Sequence, residues 1–164
     1  MSRDEIVAIV DKNNQIVGSA SRERMRAEGL RHRATYILVF DAKNRMFVHR
    51  RTSTKDVYPG HYDIAAGGVV LAGETYAASA ERELAEELGI SGTPLKTMFD
   101  FYHADGLCRV WGRVFTCRWD GPIVMQAEEI ESGGFMPTPD IIEMSRHKPF
   151  TPDGLYVLQR YLAT

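Results

Sequence analysis

The order of apolar and polar positions lays out a chain of mixed strands and helices. Residues 5–10, EIVAIV, form a short β-rich run, and Asp11-Lys12-Asn13-Asn14 marks a turn before Ile16-Val17, so the pattern predicts an N-terminal hairpin. A polar, basic segment at 19–33 follows, with a short helix at 21–28 stopped by Gly29. Residues 34–40, ATYILVF, run without polar alternation, as expected of a strand buried on both faces. Asp41 to Asn44 turns the chain, and Met46 to Arg51 reads as the antiparallel partner. A polar loop with Pro59-Gly60 leads to a short strand at 62–66. Strands at 95–103 and 108–119 make a long hairpin around Ala104-Asp105-Gly106, and a final strand covers 133–136. One or two helical turns are expected at 139–144. Thr151-Pro152 opens a helix to Leu162 whose Leu155, Leu158 and Leu162 are expected to face the core. The whole reads as one α/β (α+β) domain over 1–164, with residues 1–33 as an N-terminal extension.

Length and composition narrow the class. At 164 residues, 44% hydrophobic and 26% charged, the chain suits one globular domain. A net charge of −2 offers no general attraction to nucleic acid or to acidic membranes, so a phosphorylated ligand must be held by a local site or a metal ion. Cys108 and Cys117 lack zinc-finger or CxxC spacing, and no apolar run is long enough to span a bilayer. A reduced, cytoplasmic setting is the expectation. The arginines of the basic segment, Arg22, Arg24, Arg26, Arg31 and Arg33, read as a solvated face in preference to a phosphate site.

The candidate chemistry lies in 68–90, GVVLAGETYAASAERELAEELGI. A glycine-bearing loop precedes a helix expected to start at Glu74 or Thr75 and end at Leu88, capped by Gly89. Glu74 in the first turn would complement the helix dipole. Ala77, Ala80, Leu84 and Leu88 form the packing side. Glu83, Glu86 and Glu87, at i, i+3 and i+4, share another face, where like charges cost a few tenths of a kcal/mol per pair. They are expected to converge at the rim of a cleft without being buried. Three carboxylates beside a close-approaching backbone suit a hard divalent cation such as Mg²⁺ or Mn²⁺. The plain alternative is an exposed acidic helix with Arg82–Glu86 pairing.

The full pattern decides between them. Gly68, Glu74, Arg82-Glu83-Leu84, Glu86-Glu87 and Gly89-Ile90 resemble the box motif (68–90) of the Nudix hydrolases at each of its specified positions. The resemblance covers roughly Ala34 to Leu162 and implies an α/β/α sandwich with a mixed central sheet. It implies a Mg²⁺-dependent hydrolase, with Mn²⁺ able to substitute, that cleaves the diphosphate linkage of a nucleoside diphosphate derivative or another organic diphosphate. On that resemblance Glu83, Glu86, Glu87 and the carbonyl of Gly67 hold metal, with the Glu83 position most often the base. Arg82 orients the glutamates and Glu74 supports the loop–helix junction. Glu128, Glu129 and Glu131 compete for a further downstream carboxylate role. A small-molecule diphosphate is the expected partner, and a homodimer is compatible with the reading.

A narrower resemblance links Leu30 to Thr35 and Tyr58 to Asp63 to type I isopentenyl-diphosphate isomerase. Ala66 and Gly68 stand where those enzymes place a catalytic cysteine and a histidine, and Met25 stands where they place a metal-binding histidine; only His32 survives. An isomerase-like start joined to an intact box is similar to the YfcD-type branch of bacterial Nudix hydrolases. A non-catalytic nucleotide- or protein-binding module is the alternative from another class. His32 reads as a structural histidine or remnant ligand, and His61 and Tyr58 as loop candidates for substrate contact. Arg50 or Arg51 is a candidate phosphate ligand. Cys108, Cys117, Phe101, Tyr102 and Trp111 read as packing residues.

Overall fold

The computed structural model describes residues 4–164; the first three residues of the expected N-terminal extension lie outside the described residues. A hairpin of β1 (Ile6–Val10) and β2 (Ile16–Ser21) is followed by α1 (Arg22–Glu28), capped by the Ser21 hydroxyl and ended by Gly29. The centre of the sheet is β3 (His32–Phe40), which pairs in parallel with β7 (Arg109–Arg118) through nine consecutive positions. β7 continues antiparallel to β6 (Lys96–Ala104). On the other side β4 (Met46–Arg51) pairs with β8 (Ile130–Met136) and with the two-residue β5 (Tyr62–Asp63). The sheet is mixed, and helices α2 (Tyr76–Leu88), α3 (Thr138–Ser145) and α4 (Pro152–Leu162) complete the fold.

β3 shows why its sequence is continuously apolar. Ala34, Tyr36, Leu38 and Phe40 pack on one side with Ile141, Val157 and Leu158 of α3 and α4. Ile37 and Val39 pack on the other with Tyr76, Ala80, Leu84 and Leu88 of α2. Successive strand residues point to opposite faces, so a strand covered by helices on both sides needs apolar residues at both parities. A third cluster, around Val7, Met25 and Val69, fastens the N-terminal hairpin and α1 to the loop before α2.

Three local expectations are corrected. β4 is the partner of β3 only at its root, Phe40 opposite Met46, and its long partner is β8. Beyond that root the two strands separate, and the segment 66–70 enters beside β3 instead. Ile37 N–H donates to Ala66 O at 2.7 Å, Thr35 N–H to Gly68 O at 2.9 Å and Val70 N–H to Arg33 O at 2.9 Å. β5 therefore stops at Asp63, short of the expected 66. In α4 the buried residues are Gly154, Val157 and Leu158, whereas Leu162 is 47% exposed, because the helix outruns the sheet it covers.

Leu158 is 3% exposed and Leu162 is largely solvated. Leu158→Ala is expected to cost about 3 kcal/mol, within the range for leucine truncation in a core, and Leu162→Ala less than about 0.5 kcal/mol. Urea denaturation of the two variants checks this.

Candidate active site

The loop into α2 is built around two adjacent glycines with different reasons to be glycine. Gly67 has φ 127°, and a side chain there would collide with the Thr35 carbonyl. At Gly68 a Cβ would lie 2.7 Å from Glu83 Oε1. The first glycine lets the loop lie along β3, and the second leaves room for a carboxylate. Thr75 then caps α2, its hydroxyl accepting from Ala78 N–H at 3.0 Å, and Gly89 ends it at φ 67°.

Glu74 lies before this cap, outside the first turn where its dipole role was expected. Its carboxylate accepts from Leu71 N–H at 2.9 Å and takes a two-pronged ion pair from Arg82, 2.7 Å at Nε and 3.0 Å at Nη2. Arg82 Nη1 also donates to Glu83 at 3.0 Å and Glu86 at 3.3 Å. One guanidinium thus ties the loop to two of the three glutamates, as the fork geometry of arginine allows.

The glutamates do not share one exposed rim. Glu83 and Glu87 are buried, 2% and 6% exposed, while the Glu86 side chain is 46% exposed. At about 100° per residue, Glu87 sits about 40° from Glu83 on the core side and Glu86 about 60° away on the other. The same rotation places Ala77 outside; the buried face carries Tyr76, Ser79, Ala80, Glu83, Leu84, Glu87 and Leu88. Glu87 Oε1 accepts from Gly67 N–H at 2.8 Å. Burial, then the Glu83 charge, pushes the Glu87 carboxyl up to about 8. Burial also raises Glu83 despite the Arg82 guanidinium.

Of the three downstream acids the fold selects Glu129. The loop after β7 docks on the end of α2 through Val124 N–H to Leu88 O at 3.0 Å and Gln126 N–H to Glu87 O at 2.9 Å. This brings the buried Glu129 close enough for its charge to act on Glu83 and Glu87. Glu129 pairs with Lys55, which holds its carboxyl below the usual range even though burial opposes this. Glu128 is exposed, and Glu131 reaches Arg50 at 3.3 Å.

The donor set fits a hard divalent cation. It offers carboxylate oxygens from Glu83, Glu86, Glu87 and Glu129, and a Gly67 carbonyl that no hydrogen bond engages among the described residues. Among the described residues, the one group of His, Cys, Asp or Glu ligand atoms that lie within 4.8 Å of one another is elsewhere, at His103, Asp105 and Cys108, and does not include these glutamates. Asp105 is already saturated there, accepting from Leu107 and Cys108 N–H, Tyr58 O–H and His103 Nε2. That cluster closes the β6–β7 turn.

A cavity of about 80 Å³ opens beside Gly67, Gly68 and Glu87. Its wall includes Arg22 and Arg26, which were expected on a solvated face. Arg22 is 5% exposed and, with Arg26, grips Asp56 at 3.0 and 3.1 Å. The two arginines hold that carboxyl well below its usual range against the opposing effect of burial. Arg51 and Lys55 line the same cavity, whereas Arg50 is committed to Glu131 and Gly60 O. His32 also lines it, with Nδ1 at 3.0 Å from Leu30 O, and burial lowers its pKa to about 4. Cys108 belongs to this wall and not simply to strand packing; burial and then Asp153 push its thiol up to about 12. No sequence periodicity marks Arg22, Asp56 or Cys108, since they meet only through the fold. Tyr58 lines the cavity, and His61 is partly exposed and tilted against the Tyr58 ring at 5.5 Å between centroids.

His49 is 4% exposed, and burial followed by the Arg51 charge lowers its pKa to about 3. The unfolded chain therefore takes up the proton first, so the stability contributed by neutral His49 is present above about 6.5 and is lost as pH falls. The stability advantage of the native chain over His49→Gln is expected to shrink by about 1.4 kcal/mol per pH unit between roughly 6 and 4, read by urea titrations at each pH.

Comparison with known proteins gives a consistent relationship. A model of the NUDIX domain matches residues 30–160. An uncharacterised Nudix hydrolase of Yersinia pestis is 47% identical over 158 residues, covering 96% of this chain and 86% of that protein. The uncharacterised Nudix hydrolase YfcD of Escherichia coli K12 is 46% identical over 162 residues, covering 99% and 89%. Among solved structures, DR0079 of Deinococcus radiodurans superposes with a TM-score of 0.81 at 22% identity, over 95% of this chain and 98% of that one. The NUDIX domain of Shewanella oneidensis NrtR, solved with ADP ribose, gives 0.66 at 14% identity, over 82% and 89%. The chain belongs to the Nudix family, and with it to the hydrolases of acid anhydrides.

Proposed function

We propose that this protein, as a single Nudix domain over 1–164, is a Mg²⁺-dependent hydrolase of the diphosphate linkage in a nucleoside diphosphate derivative or other organic diphosphate. The observation that carries the reading is the lodging of two buried carboxylates, Glu83 and Glu87, against the Gly67-Gly68 turn. Such a pair is costly to bury ionised unless cations offset it.

Glu83, Glu86, Glu87 and the Gly67 carbonyl would hold the metal, with Glu129 as the further carboxylate. When bound, Mg²⁺ supplies charge neutralisation on the diphosphate oxygens and a water of lowered pKa. Arg82 keeps the glutamates in register. A carboxylate, Glu83 by position, accepts the proton of the attacking water as the new P–O bond forms and the bridging P–O bond breaks. Arg22, Arg26, Arg51 and Lys55, which line the cavity, would meet the negative charge of the substrate.

The isomerase alternative loses ground on chemistry. Positions 66 and 68 carry no thiol or imidazole, and the one thiol of the cavity wall, Cys108, is held protonated. A silent binding module has no use for a buried carboxylate pair.

Glu87→Gln and Glu86→Gln are each expected to lower Mg²⁺-dependent phosphate release by at least about 100-fold, with Mn²⁺ restoring no more than part of it. Unchanged release across nucleotide sugars, dinucleotides, coenzyme A derivatives and prenyl diphosphates would sink the metal-site assignment. Gly68→Ala pushes against the Glu83 carboxylate and is expected to raise the Mg²⁺ concentration needed for half-maximal rate about tenfold or more.

A further inference from the structure

Lys55 sits on the loop between β4 and β5 and belongs to two environments at once. Its side chain, 10% exposed, forms an ion pair with Glu129 Oε2, on a side chain that is 5% exposed. Burial and then the Glu83 charge raise the Glu87 carboxyl, and the Lys55 charge acts against both. One ammonium therefore serves two of the acids that the fold gathers near Gly67. Lys55 also lines both the cavity at Gly67 and a groove of about 690 Å³ that carries Arg22, Arg26, Thr54, Asp56 and Glu128. The loop is fixed on either side of it. Thr52 N–H donates to Glu129 O at 3.1 Å and Thr52 Oγ1 to Glu128 O at 3.1 Å, while Asp56 is gripped by Arg22 and Arg26. With the backbone anchored and open space beside it, the long side chain can change partner by rotating alone.

A lysine and a divalent cation make conflicting claims on such carboxylates. The ammonium is a compact point charge on a flexible stem, with three donors and one positive charge. A hard divalent cation takes the same oxygens with twice that charge. Both claim Glu129, and two cations crowded among half-dry acids repel each other strongly. A metal held by Glu83, Glu87 and Glu129 therefore drives the ammonium off. The next source of negative charge within its reach is an anion in the cavity beside Arg22, Arg26 and Arg51. Linkage makes the effect reciprocal: an anion that draws Lys55 away from Glu129 opens that carboxylate to metal.

We propose that Lys55 is a charge placeholder: it occupies Glu129 in the metal-free protein and turns to a phosphate-bearing ligand when a divalent cation takes its place. Metal and anion then bind cooperatively through one side chain. The exchange rests on the hydrolase reading, since it needs the metal site at Glu83, Glu87 and Glu129. It adds an order of events to that reading. The buried acids always have a cation near them, and the ligand meets the ammonium once the metal is in place.

Two measurements on the full chain test the exchange without reading activity. In the first, the lysine amines of the native protein are acylated and the labelled sites located by mass spectrometry. Mg²⁺ alone should raise the labelling rate of Lys55 several-fold over the metal-free protein. Adding methylenediphosphonate to the Mg²⁺ should bring it down again, while the exposed Lys96 and Lys148 stay constant. In the second, calorimetry follows Mg²⁺ binding to the ligand-free protein. Lys55→Met should bind Mg²⁺ about tenfold more tightly than the native chain, because a competing charge is gone, and the help that methylenediphosphonate gives should fall by about the same factor. Lys55 labelling that Mg²⁺ leaves unchanged or lowers overturns the exchange. So does a Lys55→Met variant that binds Mg²⁺ more weakly, the result of a purely structural hold on Glu129. If that variant does not fold, labelling of the native chain decides. Mg²⁺ binding with an unmoved Lys55 leaves the hydrolase reading intact, whereas a native chain that binds no Mg²⁺ with or without the diphosphonate sinks both.

Discussion

The site depends on how closely the loop before α2 can approach β3. Backbone bonds from Ile37 and Thr35 draw the segment at 66–68 into the gap where β3 and β4 part. Only a residue without a side chain fits beside the Thr35 carbonyl, and only another leaves space for the Glu83 carboxylate. With that approach made, Gly67 N–H meets Glu87, and no hydrogen bond engages the Gly67 carbonyl among the described residues. The strand supplies the rigidity, and the glycines supply the proximity that a hard-cation site requires.

The same arrangement stores an electrostatic cost. Three acids, Glu83, Glu87 and Glu129, are taken out of water within reach of one another's charge. Arg82 and Lys55 offset part of it, and the core packing of Leu84, Leu88 and Ala80 on the same helix holds the carboxylates where their own repulsion would disperse them. Stability from the apolar face is thereby traded for a preformed site, a common exchange at functional positions.

Arg22, Arg26, Arg51 and Lys55 line one cavity together with Glu87, Asp63 and Asp153. The N-terminal segment, which looked like solvated arginines, contributes to this wall because α1 packs through Met25 against Val69 of the box loop.

The sequence by itself determined the box and its helix, the doubly buried β3, the β6–β7 hairpin and the terminal helices, since each rests on short-range spacing or on a contiguous apolar run. It also offered the residues proposed here for metal binding, because Arg82, Glu83, Glu86, Glu87 and Gly67 lie within one loop and one helix. The tertiary structure decided which of those glutamates are buried, because helical rotation alone does not say how far a neighbouring strand and loop extend over the helix. It buried Glu129, and not Glu128 or Glu131, within reach of Glu83 and Glu87, since that follows from where the loop after β7 docks on α2. It placed Arg22, Cys108, Asp63 and Asp153 around one cavity from four separate parts of the chain. Contacts made across such sequence distances leave no period to read; they exist only once strands and helices have closed around a common core.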